Sequence, residues 1–380
     1  MKKKVVNIYI ISLFLLAIEL TLLIIYHISY KPVLHIDVDK NYIDGEKEPD
    51  QANKLSLFMV GDALIHSAVY ADASVGNNKY DFTSMLSEFS WVSNYDLAFY
   101  NQETILGGSE LGLSTYPCFN SPYEVGDAFV ETGFNLVSLA NNHTLDRGEQ
   151  AILNSNLYWL NKKDVVTSGS YSSWDSRNEI PIYEKNGIKY VFLAYTDSTN
   201  GISIPSGKEY LVNVYSEEQV KKDIDSIRDK TDVIIVSMHW GEEYSFSITD
   251  RQREMANYLS NLGVNIIIGE HPHVVEPIDY IGNTLVIYSL GNFLSAQRGI
   301  DRLTGLMVSL DIIKDNSGIS LENIKAGLTY TSSDTINGYR ENFKVYPYQN
   351  LNDSILLNYQ MYYNKYMNIV LSMQPDIERW

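Results

Sequence analysis

Short, mostly apolar runs recur along the chain and read as buried strands. They are Leu55–Val60, Asp96–Tyr100, Phe134–Leu139, Tyr190–Tyr195, Val233–Met238, Val264–Ile268 and Leu285–Tyr288. Most are continuous rather than alternating, the pattern of strands covered on both faces. Helical stretches separate several of them. One runs from Glu149 to about Lys162 and places Ile152, Leu153, Leu157 and Leu160 on one face. Ser216-Glu217-Glu218-Gln219 and Thr249-Asp250-Arg251-Gln252 both fit a capping box, and Gly263 falls where a helix end wants a left-handed residue. Alternating strands and helices predict an α/β layered domain. In such domains the loops at the carboxyl ends of the strands converge on one rim and carry the chemistry.

A longer apolar segment comes first. Met1-Lys2-Lys3-Lys4 leads into Ile8 and on to Tyr26, interrupted by Glu19 and Thr21, long enough to cross a bilayer as a helix. It ends in Tyr26-His27-Ile28-Ser29-Tyr30-Lys31, without the small residues of a cleavage site, so residues 1–30 are expected to be an uncleaved signal anchor. The lysines ahead of it favour a cytoplasmic amino terminus, which makes the chain a single-pass cell-membrane protein with its C-terminal domain extracellular. Glu19 is costly inside hydrocarbon unless protonated, tilted out or paired with a partner helix. Residues 31–54 turn polar and acidic and read as a linker. The main domain is expected over 55–311. A Tyr-rich extension, 312–380, would open on a turn at Lys314-Asp315-Asn316-Ser317-Gly318, carry a helix from Asp353 to about Ser372, and pack on the domain as a cover.

Composition narrows the choice of partner. Forty-seven acidic residues against 29 basic ones leave a formal charge of -18, which argues against nucleic acid, since phosphate backbones are held by an excess of lysine and arginine. Divalent cations suit such a chain better, and they would supply the local positive charge for an anionic substrate. The single cysteine, Cys118, excludes an intramolecular disulfide and a thiolate zinc cluster.

Five of the seven histidines fall in polar clusters just past predicted strands. The clusters are Gly61-Asp62 with His66, Asn101-Gln102-Glu103, Asn141-Asn142-His143, His239-Trp240-Gly241 and Gly269-Glu270-His271-Pro272-His273. Singly, Gly61-Asp62 reads as a turn, Asn142-His143 as a loop cap and His66 as a surface histidine. The His-Pro-His triplet is more specific, because alternate residues of a proline-fixed segment can aim two imidazoles at one place. Together the clusters offer imidazole, carboxylate and amide oxygen without thiolate, a set suited to manganese, zinc or iron. The ligands suffice for two ions, roughly 4 Å apart if a carboxylate bridges them, which could lower the pKa of a shared water.

Phe58-Met59-Val60-Gly61-Asp62, Asn101-Gln102-Glu103, Leu139 to Gly148, His239-Trp240-Gly241-Glu242-Glu243-Tyr244, His271-Pro272-His273-Val274 and Tyr288-Ser289-Leu290-Gly291-Asn292-Phe293 resemble, in order, the motifs of the CapA family. This is the bacterial capsule synthesis group that includes poly-gamma-glutamate biosynthesis proteins of the PgsA type. The resemblance implies a calcineurin-like metallophosphoesterase fold, a two-sheet α/β sandwich flanked by helices, on an extracytoplasmic, membrane-anchored chain. Residue by residue, Asp62 resembles the first metal-binding aspartate, and Glu103 stands where phosphoesterases keep a bridging aspartate. Asn142, His239, His271 and His273 resemble the remaining ligands, and His143 resembles the leaving-group acid or phosphate contact. Asp146 is a candidate partner fixing the tautomer of His143.

The chain departs from the phosphoesterase pattern in three ways. His66 lies four residues after Asp62 where the usual spacing is two, so it either refills the ligand place or stands outside it. Glu103 adds a methylene to the bridge. Glu270 and Glu276 are expected to place extra negative charge near the rim. The implied function is a metal-dependent hydrolase of phosphoester type in capsule or poly-gamma-glutamate biosynthesis and export, acting with synthase subunits on an anionic polymer or phosphoester. The alternative is a non-hydrolytic polymer-binding or scaffold subunit of a synthase and exporter complex.

Overall fold

The structure, a computed structural model, describes residues 52–380. The expected signal anchor and most of the expected linker lie outside the described residues. Among the described residues no helix is long and apolar enough to cross a membrane. The chain begins one sheet, leaves it to build a second, and returns to finish the first. β1 (Asn53–Leu64), β2 (Leu97–Asn101), β3 (Leu136–Ser138) and β4 (Val166–Ser168) run parallel in that spatial order. The second sheet takes β5 (Tyr183–Lys185), β6 (Ile188–Thr196), β7 (Val233–His239), β8 (Ile266–Glu270), β9 (Ile278–Ile281) and β10 (Thr284–Ile287). Its strands β6, β7, β8 and β10 are parallel neighbours. β11 (Asn292–Ser295) then pairs with the end of β1, and β12 (Thr304–Asp315), β13 (Gly318–Ile336) and β14 (Tyr339–Pro347) extend the first sheet on the other side of β1.

Successive side chains of a strand face opposite ways, and the buried residues sort accordingly. Leu55, Leu57 and Met59 of β1 meet Tyr190, Phe192, Val233, Ile235, Ile266 and Ile268 of the second sheet in one core. Phe58 and Val60 face the other way, into a cluster with Phe89 and Phe129. Val191, Ile234, Val236 and Ile267 pack under the helices Glu217–Ile227 and Asp250–Asn261. The result is a two-sheet α/β sandwich with helices outside. Each fully buried aliphatic or aromatic side chain contributes about 1.5–3 kcal/mol, so both faces of these strands must be filled.

The two sheets are tied where their parallel strands end. Tyr288–Asn292 passes between β1 and β8: the Asp62 amide donates to Gly291 O at 2.9 Å, and the Leu290 amide donates to Gly269 O at 2.9 Å. So close a passage leaves no room for a Cβ. One built on Gly61 would lie 1.7 Å from Gly291 O, and one on Gly269 2.0 Å from Tyr288 O. Gly61→Ala is therefore expected to destabilise the domain by about 3 kcal/mol or more, because the obstructing atoms are backbone that cannot rotate away. A urea midpoint for Gly61→Ala within error of the wild type would refute this.

Several sequence expectations shift. The helix expected from Glu149 spans Gly148–Leu160 but buries Ala151, Ile152, Ser155 and Trp159, leaving Leu157 62% and Leu160 83% exposed. The large apolar surface of Trp159 decides the rotation. Thr249 and Gln252 form the full capping box, whereas Ser216 caps through its hydroxyl alone because Gln219 turns to Asp223. The helix expected from Asp353 begins at Tyr359, after Asn358 takes a left-handed conformation. The boundary at Ile312 falls inside β12, whose Leu310 pairs with Leu57. The expected cover therefore includes strands of the main sheet, and the described residues 52–380 fall in one unit.

Candidate metal centre

Each cluster begins at or just past the carboxyl end of a parallel strand, so strand order decides which of them meet. β1 delivers Asp62, β2 Asn101 and Glu103, β3 the Asn141-Asn142-His143 turn, β7 His239, and β8 the His271-Pro272-His273 loop. The β3 turn is self-wound: Thr144 Oγ1 donates to Leu139 O and accepts from the Asn141 amide, while the His143 amide donates to Asn141 Oδ1. The loop after β8 is held differently. His271 and His273 sit at φ 99 and 58°, and the Tyr244 amide, from a residue itself at φ 67°, donates to Pro272 O at 2.7 Å. Such conformations cost on the order of 1–3 kcal/mol each and persist only where surrounding structure imposes them.

Glu103 is the hub. Its carboxylate is fully buried and neither oxygen has a hydrogen-bond partner. His239 Nε2 and His273 Nε2 each stand 3.7 Å from the same Oε1, beyond hydrogen-bond range. Atoms that each bind one ion at about 2.0–2.2 Å sit roughly 3–3.5 Å apart, so this convergence matches a ligand set better than a bonded network. Glu103 belongs to two groups whose ligand atoms lie within 4.8 Å of one another, one with His239 and His271 and the other with Asp62 and His273. An unpartnered buried carboxylate shared by two such groups fits a divalent cation on either side.

The remaining contacts orient these ligands. Asn101 Nδ2 donates to Asp62 Oδ1 at 2.8 Å, and His273 Nδ1 donates to Asp62 Oδ2 at 3.2 Å, which leaves Nε2 of His273 facing Glu103. Asn142 Oδ1 lies 2.9 Å from His239 Nε2, and His271 Nδ1 lies 3.1 Å from the same atom. Burial, reinforced by the neighbouring imidazoles, pulls His239 well below the usual histidine range and His271 down to about 4. Both rings are thus neutral lone-pair donors at neutral pH. Burial and then the charge of Asp62 push Glu103 well above the usual carboxylate range, the cost that a bound cation would relieve.

Residues 56–297 match the family model described as bacterial capsule synthesis protein PGA_cap. The chain belongs to that family. It is 29% identical over 198 residues to the PGA biosynthesis protein CapA of Bacillus subtilis (strain 168), a match covering 50% of each chain. It is also 29% identical over 178 residues to the capsule biosynthesis protein CapA of Bacillus anthracis, covering 46% of this chain and 43% of that one. The chain spans about half the length of these curated relatives. In structure it is similar to the calcineurin-like phosphoesterase YfkN of Bacillus subtilis, at 14% identity and a TM-score of 0.44, over 73% of this chain and 90% of that one.

In this PGA_cap chain His143 and Asp146 form a pair beside the candidate ligands. His143 Nδ1 and Asp146 Oδ2 are 2.7 Å apart, and the same oxygen accepts from the Phe119 amide at 2.7 Å. The Phe119 ring meets His143 edge-on at 4.7 Å and His66 at 5.3 Å. His66 itself belongs to none of the three ligand groups among the described residues. Its Nδ1 faces Leu64 O at 3.0 Å, and burial holds it at about 4.

Sequence reasoning left out Asn101, whose amide orients Asp62, and Glu243, which forms a third ligand group with His271 and His273. Both lay inside the quoted motifs. Their register opposite Asp62 and beside the His-Pro-His loop is a tertiary fact. The extra negative charge expected from Glu270 and Glu276 is corrected: both are buried, Glu270 is pushed well above the carboxylate range and Glu276 up to about 8. Burial thus disfavours the negative charge on both.

Proposed function

We propose that the chain is a membrane-anchored, extracytoplasmic metal-dependent phosphoester hydrolase of capsule or poly-gamma-glutamate biosynthesis, built on a calcineurin-like metallophosphoesterase fold. The observation that carries this reading is the buried, unpartnered Glu103 carboxylate shared by two ligand groups. Asp62, Glu103 and His273 would hold one divalent cation, and Glu103, His239 and His271, with the amide oxygen of Asn142, the other. The chemistry such ions supply when bound is activation of water near neutral pH and neutralisation of charge on a phosphoryl group.

The chain's own residues do the rest. Asp146 accepts from His143 Nδ1 and stabilises the doubly protonated ring, whose Nε2–H can then pass its proton to a departing oxygen and leave the neutral ring with its remaining proton on Nδ1. Asn101 holds Asp62 in place, so that ligand is oriented before any cation arrives. Family membership supports the capsule pathway, and the apolar amino-terminal segment supports the anchor.

The test is elemental analysis of the full-length protein beside turnover of a panel of aryl phosphodiesters and phosphomonoesters. The expected result is about two manganese, zinc or iron ions per chain and turnover that chelation removes. Cation-replete protein without turnover on the panel would replace this reading with the non-hydrolytic polymer-holding subunit.

A further inference from the structure

In a chain with 47 acidic and 29 basic residues, guanidinium groups gathered without carboxylates ask for a cause. They gather beside the metal centre. A cavity of about 450 Å³ is lined by Gln297, Arg298, Tyr330, Ser333, Thr335 and Arg340, among others. Arg340 is fixed in its wall: Nη1 donates to the carbonyls of Ala296 and Gln297 at 2.6 and 3.1 Å, and Nε donates to Ser333 Oγ at 2.9 Å. None of these partners is anionic. Burial and the nearby charge of Arg298 pull Arg340 below the usual guanidinium range. The arginine ion pairs among the described residues are those of Arg177, Arg228 and Arg251, so Arg298 and Arg340, the two arginines of the lining, stand outside any ion pair, whereas Arg302 next to them has the charge of Asp301.

The cavity is linked to the His-Pro-His loop through Gln297 of its lining and Tyr244, whose amide donates to Pro272 O. Arg302 stands over the Tyr244 ring at 4.7 Å, and that ring lies 6.0 Å from His273. Gln297 Nε2 donates to the Tyr244 hydroxyl at 3.4 Å, and Gln297 Oε1 accepts from Asn292 at 3.0 Å. We propose that this cavity is an anion subsite, which binds a second carboxylate or phosphate borne on the same substrate chain as the group that enters the metal centre. Guanidinium forks bind such planar oxyanions through paired hydrogen bonds, and the hydroxyls of Ser333, Thr335 and Tyr330 can fill the remaining lone pairs. A polyanion must approach a protein of net charge -18, and a local cationic wall is what offsets that repulsion. The subsite therefore selects polyanionic chains over substrates with a single anionic group. The assignment rests on the proposed function only in taking the metal centre as the place of the reacting group.

The test uses the full-length protein after dialysis against a chelator, so that bound cations cannot account for binding. Penta-glutamate and tripolyphosphate are titrated separately at low salt. The wild type is expected to bind at least one of them saturably. Arg298→Gln, at an exposed position of the lining, is expected to weaken that binding at least about tenfold with unchanged thermal unfolding. The probe whose binding depends on the arginines identifies the oxyanion. Failure of both probes to bind the chelated wild type, or equal binding by wild type and Arg298→Gln, overturns the subsite. A protein that takes up no cation yet shows arginine-dependent binding would instead overturn the metal-centre reading and leave the subsite standing.

Discussion

Glu103→Gln is expected to abolish tight cation binding while making the cation-free protein more stable. Both effects come from one carboxylate. It belongs to two ligand groups, so its loss removes a ligand from each, and an amide does not supply the charge that offsets dehydration of a divalent ion. Without a cation, the same carboxylate is buried with no hydrogen-bond partner and lies near Asp62. Its folded form holds a proton more tightly than an unfolded glutamate does. The cation-free wild type therefore loses stability as pH rises above the ordinary glutamate range, and Glu103→Gln does not. At neutral pH the cation-free variant should be more stable by roughly 2 kcal/mol, whereas adding manganese should raise the unfolding temperature of the wild type alone. Denaturant midpoints with and without manganese would show the two proteins exchanging order. If Glu103→Gln retains the full complement of ions, the shared-ligand assignment fails.

His143→Ala is expected to separate catalysis from cation binding in the opposite way. His143 pairs with Asp146, and neither belongs to the three ligand groups among the described residues, so the ion content should stay at the wild-type level. Turnover of a phosphodiester with a poor leaving group should fall by about 10²–10⁴, the usual worth of a positioned general acid. An activated aryl ester needs less protonation and should lose less. Asp146→Asn keeps an acceptor at His143 Nδ1 but removes the negative charge that stabilises a charged ring, so its loss should be smaller than that of His143→Ala. Equal losses on good and poor leaving groups would place His143 in phosphate contact and remove it from proton transfer.

The sequence showed much of this arrangement because its strands are covered on both faces and stand out as apolar runs, and parallel strands put their carboxyl-end loops at one rim. Asp62, Glu103, Asn142, His239, His271 and His273 could be assembled on that logic. What it could not show is lateral pairing. Asn101 meets Asp62 because β1 and β2 lie side by side in register, and His66 bonds back to Leu64 within its own turn. The rotation of the helix Gly148–Leu160 escaped for a related reason, since four aliphatic residues and a Trp159 stripe offered competing faces and only the neighbouring sheet chooses between them. Glu270 read as charge near the rim because a strand was expected to end two residues earlier, at Ile268, whereas β8 carries it inside.

The return of the chain to its first sheet has a consequence for biogenesis. β1 emerges near the start of the domain, yet the strand that covers its open side is β12, with Leu57 waiting for Leu310. Pairings of such long sequence separation form slowly, and an unpaired strand edge is a template for aggregation while it waits. The family match ends at residue 297, before β12 begins. A polypeptide trimmed to that match would keep every proposed cation ligand and still leave its central strand half naked. The proposed cation ligands all lie in the matched segment, but the sheet that holds them is completed by the strands that follow it.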